Sequence, residues 1–331
     1  MRQRPIDVLV PFWGLAGGVI KVLDYADHAR VLGLPVRLWA PAVPNNDDLI
    51  WSLPVAQRLL NAPGVTVGLI EEMNLDGVDT ILFTDPSHHE LIERATSAEL
   101  GDRVIHLVQG TRHANPQWQG GRNYRLLHRP MTRVSVSHQV TEVLAPLVNT
   151  SHRLHTIVEG HDVEYFSPRP TGTRPESAPL RVFYTTWKSD LGDRVRKQLS
   201  HTDEASTIAW IKADGPLGWP ALRNRYHGAD VFLAAPGPEE GFYLPGLEAM
   251  AAGVAVVTAL VGGNAAYVHH GDNALVAEYD DPTAHAEALL TLKRDPGLVR
   301  ALVENGRATT KLHHLDRERS EFADVLATVG H

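Results

Sequence analysis

The sequence contains no cysteine. Disulfides, thiolate-bound zinc and thiol nucleophiles are therefore excluded. It contains no Asp-x-Asp, a common carboxylate pair for holding a metal on a nucleotide sugar, and no His-Glu-x-x-His zinc pair. Long hydrophobic runs are also missing. The apolar stretch Val8 to Trp13 stops at glycines, too short for a signal or membrane-spanning segment, and a cytoplasmic location is expected. A basic surplus is absent too: the formal net charge is −8, which argues against general nucleic-acid binding, since that needs a basic face. Arg122, Arg125, Arg129 and Arg133 lie close in sequence and form the one candidate basic patch. Histidine, by contrast, is plentiful, with 18 residues. His88-His89, His269-His270 and His313-His314 are adjacent pairs, and neighbours on a helix do not face the same way. Solvated or hydrogen-bonded histidines are expected, and no metal.

A length of 331 residues suits two domains of roughly 150 residues. With 43% hydrophobic and 21% charged residues, the composition is that of an ordinary soluble globular protein. Short β-rich apolar runs alternate with helical spacing, the pattern of α/β folds with parallel sheets. Strands are predicted at 6–12, 35–40, 80–84, 103–109, 133–137 and 154–158, and a second series at 181–185, 207–211, 231–235, 254–258 and 274–277. Helices are predicted at 19–32, 191–199, 222–227, 245–252, 283–293, 297–309 and 316–329. The stretch from Phe166 to Pro179 carries four prolines and no apolar periodicity, and reads as a stiff linker. The expected organisation is a first domain at 1–165, a linker at 166–179, a second domain at 180–315 and a terminal helix from 316 that could cross back to the first domain.

The most informative stretch is Glu239-Glu240-Gly-Phe-Tyr-Leu-Pro-Gly-Leu-Glu248-Ala-Met-Ala-Ala-Gly253, which runs into Val-Ala-Val-Val-Thr258. It places two carboxylates, Glu240 and Glu248, at the ends of a loop-to-helix turn just past a strand. Ligands collect at the carboxyl ends of strands in open parallel sheets. Pro245 suits a helix start, the first free amides form an anion site, and Gly253 is placed to cap the helix end. A plain strand–helix–strand unit would explain one glutamate as a helix-start charge, but not Gly241, Phe242 and the whole frame. Near the N-terminus, Gly14-Leu-Ala-Gly17-Gly18 follows the first strand. A nicotinamide fingerprint is disfavoured there, because the second strand ends Leu38-Trp-Ala-Pro41 without an acid for a ribose.

Glu240-x7-Glu248, the following Ala-Met-Ala-Ala-Gly, Gly262-Gly263, the run from Tyr267 to Val276 and Asn305-Gly306 resemble the signature of family 4 retaining glycosyltransferases. Upstream, Leu107-Val-Gln109-Gly110, Glu159-Gly160-His-Asp162 and Trp187-Lys188 continue the resemblance. It implies a GT-B fold, two Rossmann-like domains facing a cleft, with hinge closure about the linker. It implies a nucleoside-diphosphate-sugar donor and transfer with retention, without metal or other cofactor. Glu240 would contact the donor sugar with the backbone of Gly241 and Phe242, the amides of Tyr243 and Leu244 would meet the diphosphate, and Glu248 would hold the ribose. Lys188 would neutralise the leaving diphosphate. Gly14, Gly17 and Gly18 would let the first domain's loop approach donor and acceptor, and Gln109 would act at the reacting centre. The partners implied are a nucleotide sugar and an acceptor glycan or small molecule.

The chain departs from that pattern at three places. Arg112 stands where an acidic residue is expected, Gly262-Gly-Asn264-Ala-Ala266 lacks the acid that often follows the glycine pair, and the arginine that often precedes the lysine element is replaced within Tyr184-Thr-Thr. These changes keep open a non-catalytic nucleotide-sugar-binding protein, a pseudo-glycosyltransferase acting on a cyclitol, and an isomerase on the same fold.

Overall fold

A computed structural model of the chain describes residues 4–97, 100–148, 153–167 and 178–330. Most of the proline-rich stretch read as a linker therefore lies outside the described residues. Two compact units are present, one built from Met1–Glu159 with Leu315–His331 and the other from Gly160–His314.

The first unit alternates strands and helices: β1 (Ile6–Leu9), α1 (Gly17–Val31), β2 (Val36–Ala40), α2 (Pro54–Leu60), β3 (Val65–Leu69), β4 (Thr80–Phe83), α3 (His89–Ser97), β5 (Val104–Val108), α4 (Arg122–Leu126), β6 (Thr132–Ser135), α5 (His138–Leu144) and β7 (Leu154–Thr156). Its seven strands lie in the order β3-β2-β1-β4-β5-β6-β7, and every pairing is parallel. The order reverses between β1 and β4, so the crevice at that point, outside the strand ends, is where a ligand can enter without disturbing the sheet. β1, β4 and β5 are buried along their length, as strands covered on both faces must be.

The second unit contains α6 (Val163–Phe166), β8 (Leu180–Thr185), α7 (Leu191–Leu199), β9 (Ile208–Ala213), α8 (Trp219–His227), β10 (Val231–Leu233), α9 (Leu244–Ala251), β11 (Ala255–Ala259), β12 (Leu275–Ala277), α10 (Pro282–Arg294) and α11 (Pro296–Thr310). Five parallel strands run β12-β11-β10-β8-β9. This order reverses between β8 and β10. Leu180, Val182, Val231, Leu233, Ala255 and Val257 pack with Val195, Leu289 and Leu302 into one core.

The first unit ends at Glu159, ahead of the expected boundary at 165. The reason is aromatic packing: His161, Tyr165 and Phe166 all contact Trp219, and Phe166 also meets Tyr226. The candidate basic patch does not form as read, because Arg133 is 1% exposed. It donates to the carbonyls of Leu126, Leu127, Arg129 and Met131, closing the end of α4 where backbone acceptors lack helical partners. Burial, with Arg153 nearby, lowers its pKa to about 10. Arg129 faces Glu93.

The last helix, α12 (Leu315–Thr328), belongs to the first unit. There Lys21 of α1 bonds Asp24 at 2.9 Å and Glu318 of α12 at 2.8 Å, and His28 Nε2 lies 2.8 Å from the same Glu318 oxygen. Burial alone would push the Glu318 carboxyl up, but the Lys21 ammonium and His28 hold it down at about 2. A carboxyl depressed by folding stabilises the protein above its unfolded pKa and loses that contribution as pH falls through the folded value. The Glu318 contribution is therefore complete above about pH 4.5 and fades toward pH 2. Glu318→Ala leaves the buried ammonium with less compensation and should cost about 3 kcal/mol, measured by urea unfolding at pH 7. A loss of less than about 0.5 kcal/mol, the range of ordinary surface changes, would contradict this reading.

Candidate functional site

The reversal of strand order in the second unit lies between β8 and β10, and the loops leaving these two strands carry the predicted charges. Lys188 follows β8 and Glu240 follows β10. Lys188 Nζ donates to Glu240 Oε1 at 2.5 Å, and the same ammonium lies 5.8 Å from the centre of the Tyr243 ring. The lysine side chain is 48% exposed and the glutamate 15%. This pair is therefore accessible, and a pair of this kind contributes roughly 0–1 kcal/mol. A ligand bearing both an anion and hydroxyl groups could separate it at little cost. Beside it is a small cavity of about 160 Å³, lined by residues including Lys188, Ser189, Ala235, Gly237, Tyr279 and Asp280.

The turn that presents Glu240 is held from behind. Tyr243 N–H donates to Gly263 C=O at 2.7 Å. A Cβ on Gly263 would lie 2.5 Å from Glu240 Cβ and 2.9 Å from its carbonyl oxygen, so only glycine permits this approach. Asn264 fixes the supporting loop: its Oδ1 accepts from Val261 N–H and its Nδ2 donates to Ala259 C=O, both at 2.9 Å. Tyr267 donates its hydroxyl to Tyr243 C=O at 2.6 Å, in space that a Cβ on Gly246 would fill. Among the described residues, the buried N–H groups of Gly241, Phe242 and Leu244 have no hydrogen-bond partner. They are the free donors of the site. Of the two amides expected to meet a diphosphate, Leu244 is free and Tyr243 is committed to Gly263. The far end of α9 closes as expected. Gly253 has φ 75° and, with Val254, donates back to Met250 and Ala249, the pattern of a glycine-ended helix.

Glu248 sits one turn into α9 and is 3% exposed. His161 Nε2 lies 3.1 Å from its Oε1, and the Tyr226 hydroxyl donates to its Oε2 at 3.1 Å. Burial first, and the Glu248 charge second, push the Tyr226 hydroxyl well above its ordinary range, so it stays a donor. The carboxylate is thus pre-set by two side chains that sequence reasoning did not single out. His161 lies inside the Glu159–Asp162 run and Tyr226 in the helix predicted at 222–227, but neither position signals a contact with Glu248.

In the first unit, Gly17 and Gly18 open α1 behind Ala16, which provides no side-chain cap. Gln109, just past β5, donates its amide nitrogen to Gly18 C=O at 3.0 Å and to Thr84 Oγ1 at 2.8 Å. It therefore ties together the loops of α1 and β4, at the point where this sheet reverses its order. Its nitrogen is spent on the scaffold, which leaves Oε1 for a ligand.

Residues 192–295 match the sequence model of the glycosyl transferases group 1. A D-inositol 3-phosphate glycosyltransferase of Xylanimonas cellulosilytica is 35% identical over 112 residues, covering 34% of this chain and 27% of that protein. Another from Corynebacterium urealyticum is 40% identical over 121 residues, covering 35% and 28%. The chain thus spans about a quarter of the length of these curated relatives. Among solved structures, sucrose-phosphate synthase from Thermosynechococcus elongatus superposes with a TM-score of 0.73 at 15% identity, over 99% of both chains. HepE of Anabaena, in complex with UDP and glucose, gives 0.73 at 13% identity over 98% of this chain and 100% of that one. The fold is that of GT-B glycosyltransferases.

The packing of Gly263 against Glu240 gives a direct test. Gly263→Ala should cost about 1–3 kcal/mol as an overpacked contact, read from the unfolding midpoint. An unchanged midpoint would show that the loop can move aside freely.

Proposed function

We propose that the chain, whose residues 192–295 match the model of group 1 glycosyl transferases, transfers a sugar from a nucleoside-diphosphate sugar to the hydroxyl of a glycan or small molecule. The observation that carries the proposal is the accessible Lys188–Glu240 pair at the strand-order reversal of the second unit. On donor binding, Lys188 turns to the diphosphate and Glu240 accepts from the sugar hydroxyls. The N–H groups of Gly241, Phe242 and Leu244 supply fixed donors around them. Breaking the bond between the anomeric carbon and phosphate oxygen puts negative charge on the leaving diphosphate. A lysine and helix-end amides stabilise that charge without a metal.

The acceptor hydroxyl attacks from the face the diphosphate leaves. Its proton passes to the departing phosphate oxygen as the new bond to the anomeric carbon forms, so configuration is retained and no protein nucleophile is needed. Glu248 holds the ribose. A carboxylate has about four acceptor positions; His161 and Tyr226 use two, which leaves two for a ribose diol on a carboxylate that cannot swing away. The first unit carries the acceptor, with Gln109 holding the Gly17–Gly18 turn in place.

A panel of nucleoside-diphosphate sugars, followed by mass spectrometry with and without acceptor mixtures, tests the activity. Sugar-bearing product from at least one donor is expected. Tight nucleoside-diphosphate binding with neither transfer nor slow donor hydrolysis would favour a non-catalytic binder, as the changes at Arg112 and Ala266 suggest. Donor conversion without acceptor would favour an isomerase, and transfer of or to a cyclitol the pseudo-glycosyltransferase reading. Lys188→Ala should lower turnover by about 100-fold or more while leaving the melting temperature unchanged; full turnover at saturating donor would remove Lys188 from the mechanism. Glu240→Gln should abolish most transfer yet leave nucleoside-diphosphate affinity unchanged or up to about fivefold higher, because Lys188 is released from its partner. A large loss of that affinity would contradict the division of labour.

A further inference from the structure

Arg112 lies in the helical turn Thr111–Ala114, directly after Gln109 and Gly110 at the carboxyl edge of the first sheet. Its guanidinium is 5.3 Å from the centre of the Trp118 ring, and His113 stacks on the same indole at 5.3 Å. Among the described residues, no carboxylate, carbonyl or hydroxyl accepts a hydrogen bond from Arg112, and its Nε is buried without a partner. An arginine carries five donors and a permanent charge, and leaving a buried one such as Nε unmatched is costly. Arg37 and Arg133 of this unit also leave Nε without a partner, but each has another guanidinium nitrogen that is met. Arg37 pairs with Asp7, Arg103 pairs with Asp79, and Arg133 spends its guanidinium on four carbonyls.

Other unmet polar groups lie in the same part of the unit. His113 is 3% exposed and both His106 and Asn123 are fully buried. Nδ1 of His113 and both ends of the Asn123 amide lack partners. The two histidine rings are 5.4 Å apart. Burial, reinforced by the Arg112 charge, holds the His113 imidazole down to about 3, so it is neutral and adds no second cation beside the arginine. The segment is also rigidly set. Gln119, Gly120 and Gly121 are left-handed, with φ of 49°, 67° and 71°, and a Cβ on Gly121 would lie 2.5 Å from Pro116 O. A non-glycine residue in that region persists where its surroundings over-determine it, which is common at ligand sites.

We infer that Arg112, resting on Trp118, recognises the acceptor, and that the acceptor carries an anionic group, a phosphate or a carboxylate, near the hydroxyl that receives the sugar. This rests on the transferase reading above and adds the acceptor's chemistry to it. The donor's diphosphate already has Lys188 and the free amides of the second unit, whereas Arg112 is an unmatched cation in the unit assigned to the acceptor.

The test is calorimetric titration of the full chain with inorganic phosphate and with acetate. The best-binding of uridine, guanosine and adenosine diphosphates is kept at saturation, so that the anion site at Lys188 is filled. The parent protein should bind at least one anion, and preference between them separates a phosphate from a carboxylate acceptor. Arg112→Ala should weaken that binding roughly tenfold or more, and Arg112→Lys should retain part of it. Arg112→Gln, which keeps length against Trp118 but loses charge, provides the same comparison if the alanine variant does not fold. No anion binding by the parent, or equal binding by the uncharged variants, would overturn the inference. So would a loss of nucleoside-diphosphate affinity in those variants, which would place Arg112 on the donor. If the parent binds no nucleoside diphosphate at all, the transferase reading fails first, and the anion titration without nucleotide still decides the role of Arg112.

Discussion

The hydrogen bond from Tyr243 N–H to Gly263 C=O, with Glu240 packed directly on Gly263, is the constraint from which the site follows. It fixes a turn that would otherwise be a flexible, glycine-rich loop. It removes one amide from the anion site and, by doing so, sets the orientation of its neighbours. Gly241, Phe242 and Leu244 are then left with free N–H groups, and Glu240 is delivered to Lys188. Asn264 and Tyr267 hold this arrangement from the far side. In this chain the segment after the glycine pair therefore works as scaffold, with Asn264 as its anchor.

The two glutamates of the helix turn live in different electrostatic settings, and this separates their roles. Glu240 faces a half-exposed lysine, and their attraction is screened enough to be exchanged for a ligand. Glu248 is buried and met on both oxygens by His161 and Tyr226. Removing a partner from a buried carboxylate is far more costly than removing one at the surface, so Glu248 is fixed while Glu240 can be re-paired. The same contrast appears in the first unit. Lys21, Asp24, His28 and Glu318 form a buried cluster joining α1 to α12, while Arg112 stands without an opposite charge.

Much of the fold was legible because parallel strands covered on both faces read as continuous apolar runs. The strands at 80–83, 104–108 and 180–185, helix α7 at Leu191–Leu199 and the glycine ending at Gly253 lie where periodicity and turn chemistry placed them. Strand β3 and the short helices α2, α4, α5 and α6 were not read, because their few residues give weak periodicity, and α3 was missed although Leu91, Ile92, Ala95 and Thr96 form one buried face. Lys188 and Glu240 were legible as strand-end residues, and the structure brings them together. The partners of Glu248 were not, because His161, just ahead of α6, and Tyr226 of α8 reach it by tertiary packing alone. Arg133 misled for a related reason: a charged residue in a basic run can be buried when helix-end carbonyls absorb its donors. The loss of the Tyr243 amide to Gly263 was likewise invisible, since backbone pairing between loops leaves no mark in residue type.

The account stands on the claim that the Lys188–Glu240 pair opens to receive a nucleoside-diphosphate sugar. A crystal structure of the full chain with an intact donor addresses it most directly. The account predicts that Lys188 Nζ leaves Glu240 for a phosphate oxygen, that Glu240 accepts from sugar hydroxyls, and that the N–H groups of Gly241 and Phe242 acquire ligand partners. A donor bound elsewhere, with the ion pair still closed, would contradict it.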